Sequence, residues 1–256
     1  MFNKQRVHGI LALALLAGGL LIPAAASADV YELRIYTTHE GKLDDLNARF
    51  RDHTVRLFRK HGMDSVGYWV PTDDPKSANT LIYVLKHASR DAAKASWQAF
   101  LADPEWKRVA EESQKDGRIL ARKPESIFLE ATDYSPELSR GDKSDGAVFE
   151  LRVYRTNEGK LENLDARFRD HTIRIFNRIG MRSVAYWHPI DEPDAKDTLI
   201  YILRHETAAA ARASWQGFLA DSEWKEVARQ SQKDGKFLRE RPESTYMKAT
   251  DYSPIQ

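Results

Sequence analysis

Residues 30–136 are written twice in this chain. Val30 to Pro136 aligns with Val148 to Pro254 at a constant offset of 118, without a gap, and 65 of the 107 pairs are identical. Tyr31-Glu32-Leu33-Arg34-Ile35-Tyr36 is matched by Phe149-Glu150-Leu151-Arg152-Val153-Tyr154, and the run Ala48 to Thr54 recurs unchanged at 166–172. Ser113 to Gly117 and Ala131 to Pro136 also recur unchanged. The period is far longer than that of a solenoid repeat. Each copy has the size of a common domain. Whatever one copy folds into, the chain must accommodate two of them. Residues 137–147, polar with Gly141 and Gly146, read as an exposed linker between domains at 29–136 and 148–256.

The first 28 residues stand outside this plan. Lys4 and Arg6 precede an uncharged run from Ile10 to Ile22, Pro23 breaks it, and Ala26-Ser27-Ala28 supplies small residues before Asp29. This is the form of a secretory signal peptide. The apolar run is shorter than the roughly 20 residues that span a bilayer. The expectation is therefore a protein exported to the periplasm or beyond, with no transmembrane anchor after cleavage. Removing two of the 39 basic residues and none of the 38 acidic ones leaves 37 against 38, a net charge of −1. That balance argues against nucleic acid as a partner, which requires a basic field. With no cysteine, thiolate catalysis, iron–sulfur clusters and Cys-zinc sites are excluded.

Within each copy the elements can be read in order. Residues 30–37 alternate apolar and polar side chains with period two, which is a strand. After Gly41, the positions Leu43, Leu46, Phe50, Leu57 and His61 follow helical spacing, with Gly62 at the C-cap. Residues 65–70 and 80–86 read as strands separated by Asp73-Asp74-Pro75. Ser89 caps a helix to about Ala102, and Asp103-Pro104 starts another that ends near Gly117. Residues 125–132 form the last strand. The order βαββαβ, with its second helix split, is the ferredoxin-like motif. Its sheet is covered by helices on one face only. Two tandem α+β domains can pack their open faces together, so the expected fold is a pseudo-dimeric α+β barrel within one chain. Homo-oligomers by exchange between chains are the alternative.

These residues resemble a known family. Glu32-Leu33-Arg34-Ile35-Tyr36, Gly41-Lys42, His61-Gly62, Gly67-Tyr68-Trp69 and Asp103-Pro104-Glu105-Trp106 are similar, in order and spacing, to the NIPSNAP domain. The second copy carries Gly159-Lys160, Tyr186-Trp187 and Glu223-Trp224 at the matching places. It departs at Ile179, Ala185 and Ser222, which stand opposite His61, Gly67 and Pro104. The resemblance implies a dimeric α+β barrel. It supplies no established catalytic residues. Related barrels include heme enzymes and cofactor-independent monooxygenases, which is analogy of fold alone.

The candidate site is the polar side of the first strand. Tyr31, Leu33 and Ile35 are expected to meet the helices, which turns Glu32, Arg34 and Tyr36 toward the barrel interior, with Glu150, Arg152 and Tyr154 opposite. A guanidinium two residues from a carboxylate can pair with it or grip a ligand's carboxylate; a salt-bridge network closing the sheet interface is the competing role. Tyr68, Tyr83, Tyr186 and Tyr201 complete the candidate ligand-binding set. His53 and His171, near the apolar helix stripe, and His87 and His205, at the mouth after the third strand, are the candidate acid–base groups. Asp52 and Asp170 cannot form dyads with their neighbours, because adjacent residues on a helix do not face each other. No metal-ligand spacing, phosphate loop or nucleophile elbow is present, so neither a metal nor a cofactor is expected. Trp97, Trp106, Trp215 and Trp224 fall at helical positions and are expected to pack cores. The leading expectation is a protein that binds a small ligand or a protein partner through the barrel. An enzyme of the cofactor-independent or heme-linked monooxygenase type is the alternative.

Overall fold

Both copies build the same unit in a computed structural model that describes residues 29–139 and 146–256. The signal peptide read at 1–28 and the middle of the linker lie outside the described residues. In the first copy β1 (Val30–Thr37) leads into α1 (Leu43–Arg49), a π-helical segment (Phe50–Thr54) and α2 (Val55–Lys60). Then follow β2 (Asp64–Pro71), β3 (Thr80–His87), α3 (Arg90–Ala102), α4 (Pro104–Glu112) and β4 (Glu125–Ala131). The second copy repeats the series as β5 (Val148–Arg155), α5 (Leu161–Arg167), π-helical Phe168–Thr172, α6 (Ile173–Arg178), β6 (Arg182–Pro189), β7 (Thr198–His205), α7 (Ala208–Ala220), α8 (Ser222–Ser231) and β8 (Glu243–Ala249).

Local chemistry sets these boundaries. Ser89 Oγ accepts the Ala92 N–H at 3.0 Å and caps α3. Asp103 Oδ1 accepts the Glu105 N–H at 2.7 Å, with Pro104 in the first turn of α4. The helix expected to reach Gly117 stops at Glu112, and hydrogen-bonded turns continue to Gly117.

Each copy contributes four antiparallel strands, in the orders β4-β1-β3-β2 and β8-β5-β7-β6. The two sheets join edge to edge. Trp69, Val70 and Pro71 of β2 pair with Ala249, Lys248 and Met247, while Leu129, Glu130 and Ala131 of β4 pair with Pro189, His188 and Trp187. The result is a closed eight-stranded barrel with the helices outside. Its lumen is apolar and drawn from both copies, including Tyr31, Leu33, Trp69 and Ile82 with Phe149, Leu151, Trp187 and Ile200. A second and a third core lie between the sheet and the helices of each copy. No helix among the described residues is long and apolar enough to cross a membrane.

This arrangement corrects one expectation. The apolar side of β1 faces the lumen, so Glu32, Arg34 and Tyr36 turn outward, beneath the helices. Tyr36, Tyr68 and Tyr83 belong to the helix-facing core of the first copy, and Tyr154, Tyr186 and Tyr201 to that of the second. Closing the barrel needs one continuous apolar surface shared by two sheets. The polar residues go to the side where helices bring donors to meet them.

Candidate functional site

Glu32 is 1% exposed and accepts four hydrogen bonds. Arg34 Nη1 and Ser126 Oγ donate to Oε1 at 2.6 Å each. Trp97 Nε1 donates to Oε2 at 2.7 Å, and His87 Nε2 lies 3.3 Å from the same oxygen. Those four partners match the acceptor capacity of a carboxylate. Burial alone would raise its pKa. The His87 bond, the Arg34 charge and the bonds from Ser126 and Trp97 overcome it and hold the group at about 2. Trp97 also lies under the Arg34 guanidinium, 4.3 Å from ring centroid to Cζ. The second copy reproduces this: Glu150 is bonded by Arg152 and Ser244 at 2.6 Å, by Trp215 at 2.6 Å and by His205 at 3.1 Å. The network thus ties α3 and α7 to their own sheets. It does not close the interface between the sheets, as the competing reading of the sequence had it.

The histidines separate. His87 and His205 are 1% exposed and sit inside these networks, not at an open mouth. His53 is half-buried and His171 exposed. Among the described residues no group of His, Asp and Glu is arranged to hold a metal ion.

A residue outside the predicted set commands the cleft that Tyr36 lines, while His53 and His171 line two others, between α1 and α4 and between α5 and α8. Arg49, at the end of α1, is 7% exposed. Its Nη1 donates to Ser113 Oγ at 3.3 Å, and its Nε has no hydrogen-bond partner among the described residues. Among the described residues no carboxylate pairs with it. Burial lowers its pKa, and only the Tyr36 and Tyr83 phenols oppose that. It remains a cation, and a buried cation normally has an anionic partner. Arg49 faces a cleft of about 550 Å³ between the sheet and the helices. Tyr36, Phe50, Phe58, Phe100 and Trp106 form its walls, and His39, Arg118, Arg122 and Lys123 its rim; no acidic side chain lines it. The π-helical segment positions this group. Its wide turn keeps Arg49, Phe50 and Thr54 all on the buried side. Thr54 Oγ1 donates to the Arg49 carbonyl at 3.1 Å, satisfying an acceptor that the distortion would strand.

Tyr36 is therefore the predicted residue that lines this cleft, while Glu32 and Arg34 brace the strand behind it. Trp106 packs against the helix-facing core as expected and is also a cleft wall, 5.4 Å from the Arg49 guanidinium. Arg49 was legible in principle: it follows Leu46 by three and adjoins Phe50, so helical spacing puts a cation on the apolar stripe. The lining residues that could ligate a heme iron are His39, on the exposed rim, and the buried Tyr36 phenol.

Comparison with known proteins agrees with the fold. An anthrone oxidase-like protein superposes with a TM-score of 0.58 at 10% identity, over 88% of this chain and 92% of its own. Presumed monooxygenases from Fusobacterium nucleatum and Lactobacillus acidophilus give TM-scores of 0.57 and 0.53, each at 13% identity. The superpositions cover 88% and 87% of this chain and 94% of each of those proteins. At such identities the likeness is one of fold. No curated protein matches the sequence. The NIPSNAP family model matches residues 31–136 and again 149–254. The duplicated unit that closes this barrel is thus a NIPSNAP domain, and the chain belongs to the NIPSNAP family.

Proposed function

We propose that this protein binds a small organic anion with an aromatic or apolar body in the cleft at Arg49. The observation that carries the reading is a buried guanidinium without a carboxylate partner among the described residues, facing a cavity whose walls are aromatic and whose rim carries Arg118, Arg122 and Lys123. A ligand carboxylate would supply the missing charge, and Arg can grip it through two parallel bonds. Tyr36 offers a phenol beside it, and Trp106 and Phe100, packed on each other at 4.4 Å between ring centroids, offer one aromatic wall to the body. The helix–sheet cleft replaces the barrel interior as the binding place. An oxidase or monooxygenase activity has only likeness of fold in its favour, and no reaction is assigned.

2-Naphthoate is a suitable probe, followed by isothermal titration. Arg49→Met is expected to weaken its binding about ten- to a hundredfold, the range for losing a charged hydrogen bond. The melting temperature should not fall, because Met also removes a buried unpaired charge. Equal affinity in the variant would remove Arg49 from the site.

The same proposal places the protein outside the cytoplasm, on the strength of the signal read at 1–28. The intact mass of protein recovered from the periplasm should correspond to a chain starting at Asp29. Recovery only from the cytoplasm, with residue 1 retained, would refute export.

A further inference from the structure

We infer that only the first of the two duplicated clefts takes a ligand, and that the pair Ile119 and Phe237 decides this. The inference rests on the cleft reading above and says which copy carries it.

A gap-free duplication starts with two equal sites, so differences between counterparts around the two guanidinium groups are informative. Arg167 matches Arg49 closely. It is also 7% exposed, its Nη1 donates to Ser231 Oγ at 3.4 Å, and its Nε lacks a partner among the described residues. The surroundings differ. Arg49 has one aromatic ring against it, Trp106. Arg167 has two, Trp224 at 5.1 Å and Phe237 at 4.8 Å. Phe237 stands where the first copy has Ile119, a fully buried side chain with no ring to set against Arg49. A cation held between two rings has part of its charge answered by their faces.

The mouth differs in the same sense. Rim residue His39 becomes Asn157, whose Nδ2 donates to the Lys236 carbonyl at 2.8 Å and ties the two sides together. Ala121 becomes Arg239, which reaches across to Asp197 at 2.6 Å. Arg122, paired with Glu125 in the first copy, becomes Glu240, an acid 3.4 Å from Arg155, in the second. Arg167 also lines a cavity of about 530 Å³ between α5 and α8, and Arg49 lines its counterpart of about 330 Å³ between α1 and α4, so that second opening is common to both copies. Ring, tie and charge thus all act against anion binding in the second copy.

The test is the stoichiometry of 2-naphthoate binding to the full chain by isothermal titration. Wild-type protein should bind one molecule per chain. Ile119→Phe should abolish binding, and Phe237→Ile should raise the number to two. The double variant Arg49→Met, Phe237→Ile should bind one molecule with wild-type affinity, now in the second copy, the first site being the weakened one. Each exchange at 119 or 237 installs the residue that the other copy already carries, and a thermal melt of each variant confirms folding. Two equivalent sites in the wild type, or a count that stays at one in Phe237→Ile, would overturn the inference and leave the cleft reading intact. No binding by the wild type would overturn the cleft reading and the inference together.

Discussion

Glu32 carries a charge in a place where charge is costly, and three of its four donors come from far along the chain. Trp97 is 65 residues away, His87 is 55 and Ser126 is 94. Its pKa lies near 2 in the folded protein against an ordinary 4.5. A depressed carboxylate stabilises the fold fully above its unfolded pKa and progressively less as pH falls through the folded one. The contribution is on the order of 3 kcal/mol, present above about pH 4.5 and lost toward pH 2. Glu32→Gln should therefore destabilise the protein by that order at pH 7, since it also leaves the buried Arg34 without its charge partner. The gap to wild type should close as urea denaturation is repeated between pH 4.5 and 2. A gap that stays constant over this range would mean that Glu32 is not ionised in the folded state. The alternation Glu32, Arg34, Tyr36 was legible in the sequence as a distinct face. Its direction was not, because both faces of this sheet are buried. Period two separates two faces without saying which one meets helices. The deciding residues, Trp97 and Ser126, lie on other elements.

At the scale of elements, the sequence was most informative where the copies are identical over long runs, and the structure gives two such runs a common reason. The segment Ala131 to Pro136 leaves the first copy and lies on the second, and Ala249 to Pro254 does the reverse. Ser135 Oγ accepts the Tyr186 N–H at 3.0 Å, and Ser253 Oγ accepts the Tyr68 N–H at 2.9 Å. Arg169 grips Asp133 through two bonds of 2.7 and 2.8 Å. Arg51 grips Asp251 in the same way, at 2.6 and 2.8 Å. Tyr134 stacks on Phe168 and Tyr252 on Phe50. Arg51 and Phe50 belong to the run 48–54, so the two unchanged runs meet each other across the copies. Strand and cap positions were readable because they follow local rules. The π-helical segment was not, since its sequence carries ordinary helix spacing and the distortion is maintained by Thr54 reaching back to Arg49. Helical spacing puts Arg49 on the apolar stripe, but its place facing the cleft depends on that distortion.

The reciprocity of these tails determines how the whole molecule behaves when it is cut. A fragment of residues 29–136 would expose the lumen face of its sheet, with Leu33, Trp69, Ile82 and Leu129 among residues that are at most 2% exposed in the full chain. It would also leave β2 and β4 as open edges, since each is paired with the other copy over three positions. An apolar face and two free edges call for a partner. The fragment carries its own complement. Its tail has Asp133, Tyr134 and Ser135, and its body has Arg51, Phe50 and Tyr68, the same residue types that receive this tail in the second copy. Two fragments can therefore satisfy each other with the same surface on both, the condition for a two-fold interface. The expected outcome is a stable homodimer of the fragment, with twice the fragment mass by light scattering and a far-ultraviolet spectrum like that of the full chain. Arg51→Glu in the fragment should weaken that dimer, because it sets like charges together at both tail contacts. In the full chain the same substitution affects one tail contact of two, and the covalent linker keeps the copies together. A fragment that stays folded as a monomer would show that the lumen face can be buried without a second copy, and that barrel closure is not what stabilises the domain.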